Sequence, residues 1–317
     1  MSNKKPIPVI LDTDIGPDID DTWALAMMLN CPELDVKLVV SDEGDTLYRA
    51  KIIARVLEIA GRSDVAVGVG VRQPCPKKQM LQSEWVKGYN LRRYPGKVWR
   101  DGVEGIIRTI LDSPEPVTIV CIGPMPNIGE ALRREPRIVR NARFVGMHGS
   151  IAWSHSEDHK VVPEYNVAKD VAACQAFFRA RWIDKTITPL DTCARVRLQD
   201  RKYAKVAQSK QVLPRAVIEN YRIWQRQGGW VKEQNASSIL FDCVAVHLAY
   251  STRFLKMRRM GVRVTNDGFT VRDPKAGKIN VALAWKDLPG FEDDLVKRLT
   301  AKQVLDCSDK RCIASLS

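Results

Sequence analysis

Several large function classes are set aside by what this chain lacks. No apolar stretch approaches the length needed to cross a bilayer. Eight cysteines (Cys31, Cys75, Cys121, Cys174, Cys193, Cys243, Cys307, Cys312) are scattered without a CxxC pair, which argues against a zinc site and suits reduced, buried thiols in a cytosolic protein. Only four histidines occur (His148, His155, His159, His247), and none stands at metal-ligand spacing from another. No Pro/Gly/Ser-rich linker or internal repeat divides the 317 residues, so the chain reads as a single domain, 1–317. Met1-Ser2-Asn3-Lys4-Lys5 leads straight into an apolar run rather than a signal sequence, so a cytoplasmic location is expected.

Charge is present in excess, with a formal net of +13. That raises nucleic acid as a partner, but the bases are spread along the chain. The densest stretch, Trp85 to Arg100, alternates aromatics with bases, a pattern able to stack and clamp single strands. No recognised binding module accompanies it. The expectation is a loop or subunit contact anchored by its aromatics, with a lid over a pocket as the alternative, and neither nucleic acid nor membrane as a partner.

The strongest positive signal lies near the N-terminus. Leu11 to Thr22 holds five carboxylates, Asp12, Asp14, Asp18, Asp20 and Asp21. They follow an apolar strand, Ile7 to Leu11, and precede an amphipathic helix starting at Trp23. Like charges a few ångströms apart disfavour joint ionisation, so a positive group should sit among them, and a hard divalent cation suits oxygen ligands. Strands and helices then alternate through Val36, Val67, Ile119 and Val145, and a hairpin signal falls at Val262–Val264 and Phe269–Val271. The fold class expected is α/β: an open, mostly parallel Rossmann-like sheet flanked by helices, with a C-terminal β-hairpin. Ligands in such sheets bind beyond the carboxyl ends of the strands, where the acidic turn lies.

Asp12-Thr13-Asp14-Ile15-Gly16 with Asp20-Asp21 resembles the signature of the inosine–uridine-preferring nucleoside hydrolases, in the variant with two extra residues before the paired aspartates. Gly44-Asp45 is similar to that family's second-strand loop, Gly123-Pro124-Met125-Pro126-Asn127 to its GPLTN segment, and Gly146-Met147-His148-Gly149 to its MGG. Pro163-Glu164-Tyr165-Asn166 with Asp170 resembles EFN…D, and Phe241-Asp242 the late HDPLAV segment. The resemblance implies the nucleoside hydrolase fold and calcium-dependent cleavage of the N-glycosidic bond of a ribonucleoside. One Ca²⁺ would be bound by Asp14, Asp21, Asp242 and the carbonyl of Ile122, with Asp14 as general base toward a water. Asp20, Asp45, Glu164 and Asn166 would contact the ribose, and Asn127 and Phe241 would border the substrate. A homodimer or homotetramer is implied. Family members carry a histidine where Phe241 stands, which protonates the departing base. Phenylalanine cannot, so either an acid comes from elsewhere, His155 first and His148 next, or aromatic contacts through Trp153, Trp224 or Phe241 render a stacked purine basic enough for solvent to protonate it.

Plainer readings stand beside these. Asp12 reads as a support hydrogen-bonded to turn amides, Asp18 as a helix cap, and Asp242 equally as a cap or a ligand. His247 reads as a core or interface residue, His159 as a solvated loop residue, and Tyr221, Trp224 and Trp230 as packing. Two rival functions remain: a nucleoside-binding relative that lost turnover with Phe241, and a haloacid-dehalogenase-type phosphatase with Asp12 as nucleophile.

Overall fold

A computed structural model describes residues 5–156 and 158–302; Cys307 and Cys312 lie outside them, as do Met1 to Lys4. In chain order the elements are β1 (Ile7–Thr13), α1 (Asp20–Leu29), β2 (Leu34–Ser41), α2 (Thr46–Ile59), β3 (Ala66–Val69), β4 (Val98–Trp99), α3 (Gly102–Leu111), β5 (Val117–Cys121), α4 (Pro126–Arg134), β6 (Ala142–Met147) and α5 (Tyr165–Lys169). They continue as α6 (Val171–Arg179), β7 (Lys185–Thr188), α7 (Leu190–Cys193), α8 (Asp200–Ala207), α9 (Val212–Arg226), α10 (Phe241–Leu248), β8 (Leu255–Val264), β9 (Thr270–Arg272), β10 (Lys278–Trp285) and α11 (Leu288–Leu299).

The strands form one sheet in the order β4-β3-β2-β1-β5-β6-β7-β10-β8-β9. Pairings from β4 through to β10 are parallel, and β8 runs antiparallel to both β10 and β9. This is the α/β class expected, and the hairpin forms where Val262 pairs with Arg272 and Val264 with Thr270. Parallel strands buried on both faces read as continuous apolar runs. Accordingly Val9 and Leu11 of β1 enter one core with α1, α2, α9 and α10, while Ile10 between them enters a second core with α3, α4 and α6. β1 has β2 on one side and β5 on the other, so the chain reverses its winding there. The crevice at that switch point is where the acidic turn emerges.

The basic aromatic stretch is anchored, as expected. Trp85, Leu91 and Tyr94 are buried, the Arg55 guanidinium lies 4.5 Å from the Trp85 ring centroid, and Tyr94 Oη donates to the Val65 carbonyl at 2.8 Å. Val98–Trp99 supplies the edge strand β4. Its buried rings are turned inward and cannot stack on a nucleic acid. Among the described residues no helix is long and apolar enough to cross a membrane.

Candidate active site

Helix α1 packs against α10, so their first turns meet at the crevice. Asp20 and Asp21 open α1, and Asp242 is the second residue of α10. One carboxylate oxygen from each of the three lies within 4.8 Å of the other two, and all three side chains are buried. The Asp242 amide donates to Asp20 Oδ2 at 3.3 Å, and the Thr13 hydroxyl donates to Asp21. Burial, then mutual repulsion, pushes all three carboxyls well above the usual carboxylate range. The donors are hard oxygens with no thiol or imidazole among them. Three anions so placed coexist only with a cation, and the arrangement is compatible with a divalent one.

Asp20 thus joins the group in which Asp14 was expected. Asp14 lies beside it, and its carboxylate faces the Arg49 guanidinium at 3.5 Å. Burial raises Asp14 to about 6 against the pull of Arg49. The β5 exit presses on it: a Cβ on Gly123 would stand 2.9 Å from the Asp14 amide nitrogen. The Ile122 carbonyl accepts from Asn166 Nδ2 at 3.3 Å, and the same amide donates to the Met147 carbonyl at 3.0 Å. Glu164 caps α5, accepting from the amides of Asn166 at 2.7 Å, Gly149 at 2.9 Å and Val167 at 3.3 Å. Burial still lifts its carboxyl to about 7.

Other expected residues stand elsewhere. Asp45 caps α2 through the Tyr48 amide at 3.0 Å and pairs with Arg72 at 3.4 Å. Asn127 is fully buried and structural: Nδ2 donates to Asp12 at 2.8 Å and to the Ser41 carbonyl at 3.1 Å, while Oδ1 accepts from the Val71 amide at 2.8 Å. Asp12 is a support, as expected, but its partners are Asn127 and the Cys121 thiol rather than turn amides. With no exposure it cannot serve as the nucleophile of a phosphatase. Asp18 does not hold the cap position of α1, which is Ile19; its carboxylate accepts from the Ile19 amide at 2.6 Å and its carbonyl from Gln82 Nε2 at 2.7 Å. Asp242 is no cap either, since Leu240 precedes α10 without a side-chain bond. His148 is ruled out as an acid to the base. It is fully buried, Nε2 lies 3.1 Å from the Gly123 carbonyl, and burial drops it to about 3. His247 is a core residue ringed by Tyr250, Phe254 and Phe291.

His155 is the exposed histidine near the crevice, its ring edge-on to Phe241 with centroids 5.4 Å apart. Nearby, Trp153 stacks on His159 at 5.3 Å and carries the Arg195 guanidinium at 4.3 Å. Sequence reading missed Arg49, Glu43 and Lys169. Arg49 sits fully buried on the core stripe of α2 with Ile52, Ile53 and Val56, and a base at such a position is the signal that could have found it.

The profile described as "Inosine-uridine preferring nucleoside hydrolase" matches residues 9–295. The pyrimidine-specific ribonucleoside hydrolase RihA of Citrobacter koseri is 30% identical over 186 residues, 55% of this chain and 57% of that protein. The RihA of Escherichia coli O81 is 28% identical over the same span. The chain therefore aligns with little more than half the length of these relatives. Among solved structures, a plant nucleoside hydrolase, PpNRh1, superposes with a TM-score of 0.80 at 20% identity, covering 94% of this chain and all of its own. A purine-preferring ribonucleoside hydrolase from Gardnerella vaginalis gives 0.77 at 19% identity, covering 92% and 98%. At such identities these two likenesses establish the fold.

Proposed function

This chain belongs to the inosine–uridine-preferring nucleoside hydrolase family, and on that premise we propose that it hydrolyses ribonucleosides to free base and ribose. The observation that carries the reading is the convergence of Asp20, Asp21 and Asp242, buried, beside Asp14 at the sheet's switch point. Calcium is the cation proposed, held by Asp14, Asp21, Asp242 and the Ile122 carbonyl, because an all-oxygen shell from flexible carboxylates suits it. When bound it supplies Lewis acidity to a water and anchors ribose hydroxyls.

The chain's own groups perform the rest. Asp14, beside the cluster and held by Arg49, takes the proton from the attacking water. The water oxygen bonds to the anomeric carbon, and the pair of the C–N bond leaves with the base. Carboxylates around the sugar stabilise the oxocarbenium character that develops. Asp20 and Asn166 are the residues proposed to contact the ribose, and Glu164, fixed by three amides, offers its remaining lone pairs. Asp45, committed to the α2 cap, is left out of this set. At the base, Phe241 and His155 form one wall. Burial lowers His155 and keeps it neutral near pH 7, which favours stacking on Phe241 over proton donation by the histidine.

The family match over most of the chain supports one catalytic unit across residues 1–317. Six unpaired cysteines among the described residues suit a reducing, cytoplasmic setting. A homodimer or homotetramer completes the proposal. The test is turnover of adenosine, inosine, uridine, cytidine and 2′-deoxyadenosine with calcium and with chelator. Ribonucleoside cleavage lost on chelation and poor for the deoxynucleoside supports the reading. Calcium and ribose binding without turnover identifies an inactive relative.

A further inference from the structure

The acid cluster already contains one cation, supplied by the protein. Arg49 is completely buried, and its guanidinium donates to the Asp14 carbonyl and to Glu43 while lying 3.5 Å from Asp14 Oδ2. Glu43 is buried in turn, at a positive φ of 52° beside Gly44, and its other oxygen pairs with Lys169 Nζ at 3.4 Å. Asp42 and Asp21 also face the guanidinium. The chain Asp14–Arg49–Glu43–Lys169 therefore joins the loop after β1, the loop after β2 and the end of α5. Only a forked, permanently charged donor can touch Asp14 and Glu43 at once, so lysine would not replace it.

We propose that Arg49 is the fixed counter-charge of this site, a positioning residue that holds Asp14 from behind and, with Glu43, sets how strongly the cluster attracts a divalent cation. This rests on the reading of the cluster as a cation-dependent hydrolytic centre. A fixed positive charge a few ångströms away opposes entry of a second one, and Glu43 partly offsets that opposition. The two residues therefore act on cation affinity with opposite sign.

The experiment is calorimetric titration of calcium into the full chain, with turnover of a ribonucleoside measured on the same samples. Glu43→Gln keeps an acceptor for the guanidinium but uncovers its charge, and should weaken calcium binding about tenfold. Arg49→Met leaves Glu43 held only by Lys169, and should tighten binding about tenfold while turnover falls about a hundredfold as Asp14 loses its grip. The double variant should return to within about threefold of the wild-type affinity, with turnover still low. Should Arg49→Met fail to fold, Lys169→Met provides the second sign, because it too uncovers Glu43 and should tighten binding.

Equal affinities across the set, or shifts of one sign, overturn the proposal. Full turnover in Arg49→Met, or its recovery in the double variant, removes the positioning role. If the wild type shows the opposite-sign pattern but cleaves no ribonucleoside, the hydrolase reading fails and the counter-charge stands. Turnover without the pattern means the reverse.

Discussion

At the scale of single residues, Asp14 is held from two sides, by Arg49 and by the tight approach of Gly123. Replacing it with alanine should leave the circular dichroism spectrum unchanged and lower kcat by about 10³-fold, within the range general acid–base groups supply. A loss under tenfold would assign the base elsewhere. Phe241 and His155 make a second prediction. With His155 neutral and edge-on to Phe241, His155→Ala should cost less than about tenfold, and purine nucleosides should be cleaved faster than uridine. Preference for uridine, or a loss of two orders of magnitude, transfers protonation of the base to His155. The acids of the site were legible in the sequence because five of them crowd into twelve residues and no ordinary turn needs so many. The structural bonds of Asn127 were not legible, since an asparagine after a strand looks the same whether it meets a ligand or ties Asp12 to Ser41 and Val71. The helix cap made by Asp45 was hidden for a related reason. A carboxylate three residues before a tyrosine amide is drawn to cap the helix, and that competition is invisible without the loop geometry.

At the scale of elements, what matters is how backbone brings side chains together. Most strands and helices of the first half could be read directly, because buried parallel strands are uninterrupted apolar runs punctuated by glycine and capping residues. β4 and β7 could not. One is two residues long and the other, Lys185–Thr188, opens on a lysine whose ammonium bonds helix-end carbonyls at 2.6 and 2.9 Å. The meeting of α1 with α10 was implied only by the family resemblance, which assigns Asp21 and Asp242 to one ion, because no periodicity reports which helices are neighbours. Two substitutions test this level. Gly123→Ala would set a Cβ against the Asp14 backbone, so it should displace Asp14, cut kcat about a hundredfold and lower the melting temperature as well; unaltered kcat would show the approach to be loose. Asn127→Ala strips partners from Asp12 and the Val71 amide, and should destabilise the fold by about 2–4 kcal/mol in denaturant titration. A change below about 0.5 kcal/mol would return Asn127 to the substrate side.

At the scale of the molecule, the buried charges give stability a pH dependence that a cation should reduce. In the chelated protein Asp12 and Glu164 sit at about 7 and Asp14 at about 6, all raised by burial above the ordinary carboxyl values of 3.8 to 4.5. The native state then retains protons that the unfolded chain has lost, so their contribution falls as pH rises through 7. His148 at about 3 and His247 at about 4 act oppositely, since their contribution is present above 6.5 and lost as pH falls through 4. Carboxyls outnumber histidines here, so the chelated protein should melt lower at pH 8 than at pH 5. Saturating calcium should narrow that difference, and at a hundred times its dissociation constant should add about 2.7 kcal/mol. Thermal melts at the two pH values decide it, and a chelated protein more stable at pH 8 contradicts the account. The acids that meet at the crevice also come from distant parts of the chain: 222 residues separate Asp20 from Asp242. At about 5–20 residues per second, synthesis leaves Asp20 and Asp21 waiting on the order of 10–40 s for their third companion. A nascent chain short of α10 lacks Asp242, so a ribosome-stalled fragment ending before Phe241 should show no calcium binding.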